Sequence, residues 1–80
     1  MEDERIVELY WERSETAIEE TRTKYNGYCS SIAYHVLGSF EETEECISDT
    51  YLRLWNTIPP ERPANFKAYL GRSEERRVGK

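Results

Sequence analysis

Eighty residues give at most one domain, and a chain this short buries only roughly 60% of the surface it exposes unfolded, which excludes a large cofactor pocket. With 38% hydrophobic and 34% charged residues, the composition is that of a folded helical segment and not of a disordered tail. The net charge of −5 is uneven: residues 1–71 hold seven Lys and Arg against fourteen Asp and Glu, while residues 72–80 hold four against two. An acidic body argues against broad electrostatic binding to a phosphate backbone, and for a basic protein partner or a solvated face.

No apolar run approaches the roughly 20 residues that span a bilayer, and the N-terminal MEDERIVE is acidic where a signal peptide is basic. The chain is therefore expected in the cytoplasm, with no membrane contact. Cys29 and Cys46 stand alone, without CxxC spacing and with a single His in the chain, so both read as small core residues.

Apolar residues recur three and four apart throughout, which predicts an all-α domain of three to four helices. The first helix is expected from Asp3 to Arg13, with Ile6, Leu9 and Tyr10 on one side and Asp3 and Glu4 at its electropositive end. Ser14 is a candidate N-cap for a second helix from about Glu15 to Leu37, with Ile18, Tyr25, Cys29, Ile32, Ala33 and Val36 along its inner stripe. Gly38 fits the position after that helix, and Ser39 with Glu42 has the form of a capping box opening a third.

The third helix, about Phe40 to Ile58, carries Ile47, Tyr51, Leu54, Trp55 and Ile58 on one face, and Trp55 is expected to pack on the stripe of Ile32 and Val36. Its other face holds Glu45, Ser48, Asp49, Leu52 and Asn56. Pro59 and Pro60 end it, and Pro63 suits the first turn of a fourth helix that packs Phe66, Tyr69 and Leu70 inward.

Catalytic groups are not assembled anywhere, so the chain does not read as an enzyme. His35 lacks a partner at ligand spacing, the four glycines are scattered, and Glu41, Glu42, Glu44 and Glu45 lie in the first turns of one helix, where its dipole favours them. No cofactor or metal is expected. The informative feature is the outer face of the third helix, where the exposed Leu52 sits among acidic and polar residues. Such a patch suits a protein partner, the leucine supplying buried area and the carboxylates orientation and speed of encounter.

Four blocks, in order, carry a family resemblance: Ile6-Val-Glu-Leu-Tyr-Trp-Glu-Arg-Ser14, Lys24-Tyr-Asn-Gly-Tyr-Cys-Ser-Ser-Ile-Ala-Tyr34, Glu42-Thr-Glu-Glu-Cys-Ile-Ser-Asp-Thr-Tyr-Leu-Arg-Leu-Trp55 and Pro59-Pro-Glu-Arg-Pro-Ala-Asn-Phe-Lys-Ala-Tyr-Leu-Gly71. They resemble region 2 of small sigma-70-family RNA polymerase sigma factors of the extracytoplasmic-function type. The third block is the most specific, departing from the family pattern at Cys46 and Ser48. The resemblance implies that Glu45, Ser48, Asp49, Leu52 and Arg53 dock on a coiled coil of the polymerase β′ subunit, and that the following helix opens and reads the promoter −10 element. Its DNA-contacting residues would begin with Phe66, Lys67 and Tyr69. An anti-sigma factor is a further partner the resemblance allows.

After Gly71 the pattern breaks. Arg72-Ser-Glu-Glu-Arg-Arg-Val-Gly-Lys80 resembles the translation, in one frame, of a widely used sequencing adapter. Residues 1–71 therefore read as a region 2 domain incomplete at its C-terminus, and 72–80 as a non-native tail, expected to be frayed or a polar extension of the fourth helix. The rival reading is a stand-alone acidic helical adaptor for a basic protein, which shares the same exposed face.

Overall fold

Asp3 and Glu4 open α1 (Asp3–Trp11), and its inner side buries Ile6, Val7, Leu9 and Tyr10. In the computed structural model, which describes residues 1–79, this helix stops two residues before the expected Arg13. The Ser14 N–H reaches the Leu9 carbonyl at 2.9 Å and the Arg13 N–H that of Tyr10 at 3.0 Å, a Schellman-type ending with Arg13 left-handed at φ 59°. That conformation costs a residue with a Cβ about 1 kcal/mol.

α2 (Thr16–Leu37) follows at once, its first turn helped by the Ser14 hydroxyl, which accepts the Thr16 N–H at 3.3 Å. Its buried positions, Ala17, Thr21, Tyr25, Cys29 and Ala33, recur every four residues. Thr21 was not foreseen in this stripe, and it is there because its hydroxyl satisfies the buried Tyr10 hydroxyl at 2.8 Å. Val36, expected inside, is 57% exposed. A helix of 22 residues is roughly 33 Å long. Its partner α1 runs back along only the first half, where Asp3 accepts hydrogen bonds from Lys24 (2.7 Å) and Tyr25 (2.8 Å).

Gly38 ends α2 in the left-handed region at φ 67°, with its N–H on the Tyr34 carbonyl, and Ser39 Oγ accepts the Glu42 N–H at 3.3 Å. This opens α3 (Phe40–Thr57), which buries Thr43, Cys46, Ile47, Thr50, Tyr51 and Leu54. Trp55, expected against Ile32 and Val36, is only partly buried, and Val36 is exposed. The Trp55 ring lies 6.3 Å from that of Tyr10, so its neighbour is α1.

The connection 58–65 contains three prolines, and α4 (Phe66–Gly79) starts beyond all of them. Asn65 is the reason: its side chain accepts the Ala68 N–H at 3.1 Å, which Pro63 cannot do. α4 sets Phe66 between Tyr10 and Tyr25, with centroids at 6.2 and 6.0 Å, then buries Leu70 and Gly71. A Cβ at residue 71 would run into the Tyr28 hydroxyl, so this glycine sets how closely α4 crosses α2.

α4 continues unbroken through Gly79 as an extension rather than a frayed end, and the extension is not wholly exposed: Glu74 is 0% exposed. The core is thus a four-helix cluster around Ile6, Tyr10, Leu54, Ile58, Phe66 and Leu70. Among the described residues there is no strand, and no helix is long and apolar enough to cross a membrane.

Candidate functional site

The inner face of α3 is fully committed to the core, which forces the remaining positions outward. Glu45, Ser48, Leu52 and Arg53 are exposed, Leu52 to 58% of its surface, and Asp49 is half-buried. Positions 45, 48, 49 and 52 stack on one side at helical spacing, so the stripe inferred from periodicity exists as a surface. Asp49 is the exception to its openness: Arg77 of α4 forms an ion pair with its carboxylate. A shallow groove beside it is lined by Asp49, Leu52, Arg53, Asn56, Ser73 and Arg77, so the second half of α4 borders the α3 stripe.

The three positions expected to touch DNA separate. Phe66 is 2% exposed and packed among Tyr10 and Tyr25, so its ring belongs to the core and offers no face to a base. Lys67 is exposed, its ammonium 5.0 Å from the Tyr28 ring. Tyr69 lies between, partly buried, its hydroxyl 3.0 Å from Thr57 Oγ1. Burial, against the Thr57 hydrogen bond and with that of Glu61, holds the Tyr69 hydroxyl above its ordinary pKa, so it remains a hydrogen-bond donor.

Two features escaped the sequence reading. Arg62, Arg72 and Arg76 are exposed in or just before α4, giving it a basic surface that contrasts with acidic α3. Arg62 and Arg72 were legible as charges, but only the fold brings them into one groove with Tyr69. The other is a cluster at the end of α1, where the Arg13 guanidinium lies 3.9 Å over Trp55 and Arg62 lies 4.9 Å over Trp11. No spacing rule links residues this far apart in the chain.

A family model for sigma-70 region 2 matches residues 23–78, from the second turn of α2 through most of α4. The chain belongs to the sigma-70 region 2 family. No curated protein and no solved structure matched the chain. Sigma-70 region 2 is a non-enzymatic part of transcription initiation factors, and the family engages RNA polymerase core and promoter DNA. Membership favours the sigma factor over the stand-alone adaptor. The match leaves α1 outside it and extends into residues 72–78.

Proposed function

We propose that this sigma-70 region 2 domain is of the extracytoplasmic-function type and docks on the β′ coiled coil of RNA polymerase through the outer stripe of α3. Glu45, Ser48, Asp49 and Leu52 form the contact, with Arg53 at its margin. The observation that carries this reading is Leu52: a leucine 58% exposed, ringed by acidic and polar side chains, on a helix whose apolar face is already used. Burying such a side chain against a partner contributes about 2 kcal/mol, and the flanking carboxylates steer a basic partner into register. An anti-sigma factor would block the domain most economically by covering the same stripe.

In the complete sigma factor, α4 meets the promoter −10 element, with Lys67 and Tyr69 as its first contacts. Phosphate contacts from Lys67 would position the helix, whereas sequence is read by contacts to bases. The reading of 72–80 as translated adapter has one support in the fold: Glu74 brings a carboxyl into the core and leaves Oε1 without a hydrogen-bond partner.

Titration of the chain with a β′ coiled-coil hairpin tests the docking face. Leu52→Glu and Glu45→Lys should each weaken binding by tenfold or more at low salt with the helical circular-dichroism signal unchanged, while Val36→Ala, at an exposed position of α2, leaves it within twofold. Weakening by Val36→Ala or Phe40→Ala but not by Leu52→Glu would place the partner elsewhere.

A further inference from the structure

The last carbonyls of α3 and those of the connection after it have few backbone donors to meet, because Pro59, Pro60 and Pro63 carry no N–H. The side chains that serve them come from the end of α1. Arg13 Nη1 donates to the Trp55 carbonyl at 2.8 Å and to the Ile58 carbonyl at 3.1 Å, while its guanidinium lies on the Trp55 ring. Two residues earlier, Trp11 Nε1 donates to the Glu61 carbonyl at 3.1 Å, and Arg62 covers the Trp11 ring. One short turn thus grips the 58–65 connection at its start and again at its middle.

The backbone of Arg13 adds an independent observation. It occupies the left-handed position of a Schellman ending, where glycine is the favoured residue, and a side chain there is conformationally costly. A non-glycine residue persists in such a place when its side chain is needed, and here its Nη1 donates to the carbonyls of residues 42 and 45 positions away.

We infer that Trp11 and Arg13 are positioning residues for the promoter-reading element: they clamp the 58–65 connection and so fix where the N-terminus of α4 stands. This rests on the reading of α4 as the DNA-facing helix, and it assigns a role to α1, which lies outside the matched family segment. α4 begins directly after the connection, at Asn65 and Phe66, so a shift of the connection is a shift of Lys67 and Tyr69.

The test compares Arg13→Gly, Arg13→Lys and Trp11→Phe with the unaltered chain. Arg13→Gly suits the backbone and keeps the fold, so what it loses is the clamp; Arg13→Lys keeps the charge but not the planar stack; Trp11→Phe keeps the ring but not the donor. Amide hydrogen exchange at residues 58–69 should quicken at least tenfold in Arg13→Gly, and less in the other two. Exchange in the middle of α2 and binding of the β′ hairpin should stay within twofold. Affinity for a single-stranded oligonucleotide bearing a −10 element should fall at least fivefold in Arg13→Gly.

Unchanged exchange at 58–69, or quickening spread evenly over all four helices, would overturn the clamp. Local quickening with DNA affinity intact would overturn its role in positioning. Absence of DNA binding by the unaltered chain is what a helix interrupted after Gly71 would give; the same comparison is then made in the chain extended with natural sequence after Gly71, where absence of binding would count against the reading of α4 itself.

Discussion

Gly27 and Gly71 both lie inside helices, and their surroundings are opposite. Gly27 is exposed on α2 with nothing near the place a Cβ would take, whereas a Cβ at Gly71 meets the Tyr28 hydroxyl. Gly27→Ala should therefore stabilise the chain by about 1 kcal/mol through helix propensity alone. Gly71→Ala gains the same propensity but incurs an overpacking cost of about 1 to 3 kcal/mol, and most of its loss should return in a Tyr28→Phe background. Thermal melts of the unaltered chain, the three single variants and the Gly71→Ala/Tyr28→Phe double variant check both signs. Glu74 is the other residue whose surroundings dictate an outcome. Cys46 Sγ donates to its Oε2 at 3.2 Å, a weak bond, and its buried Oε1 has no partner. Glu74→Met removes the unpaired polar atom at similar volume and should stabilise by about 1 to 3 kcal/mol in urea unfolding, and a lower midpoint would contradict this account.

At the scale of elements, α1 is tied to the middle of α2 through Asp3, and the tie is pH-dependent. Burial works to raise the Asp3 pKa, but the hydrogen bonds from Lys24 and Tyr25 and the Lys24 charge together outweigh it, and the carboxyl sits below its ordinary value of 3.8. A depressed carboxyl adds stability above its unfolded pKa and loses it as the pH falls through the folded one. Asp3→Asn should then melt below the unaltered chain at pH 7, with the gap closing as the pH drops below about 4. Elements set by local chemistry were legible in the sequence. Gly38, Ser39 and Glu42 mark the α2–α3 turn because capping involves residues within a few positions, and the inner face of α3 follows from its spacing alone. What was not legible depended on distant neighbours. Trp55 meets Tyr10 and Arg13, Val36 is left exposed on α2, and Phe66 fills the core where its place in the family pattern suggested DNA. Pro63 drew the start of α4 too early, because the Asn65 cap competes with it and wins.

For the whole molecule, the buried hydroxyls and thiols set the alkaline limit. Burial pushes Tyr10 up to about 12, opposed by its bond to Thr21, and burial followed by the Asp3 carboxylate takes Tyr25 to about 12. Cys29 and Cys46 also rise to about 12, each mainly by burial and then by the nearby Glu74. A group whose folded pKa is raised contributes fully below its unfolded pKa and loses that contribution as the pH climbs through the folded value. Stability should therefore decline from about pH 9, where unfolded thiols ionise, toward about pH 12, as read from urea midpoints across that range. The same burial makes the thiols inert: a thiol-reactive dye at pH 8 should label neither cysteine until denaturant is added. Rapid labelling of the native chain would mean that the α2–α3–α4 contact around Cys29, Cys46 and Glu74 opens freely.

The grip of α1 on residues 55–61, and the cover it takes from Phe66 and Leu70, has a bearing on how the chain is made. Synthesis delivers α1 first, and at about 5 to 20 residues per second its covering residues emerge roughly 3 to 10 seconds later. For that interval Ile6, Val7, Leu9 and Tyr10 have only α2 to cover them. Glu2, Asp3, Glu4, Glu8 and Glu12 surround them, so the negative charge on this nine-residue helix and its two caps holds the unfinished protein in solution until the far end arrives to complete the cover.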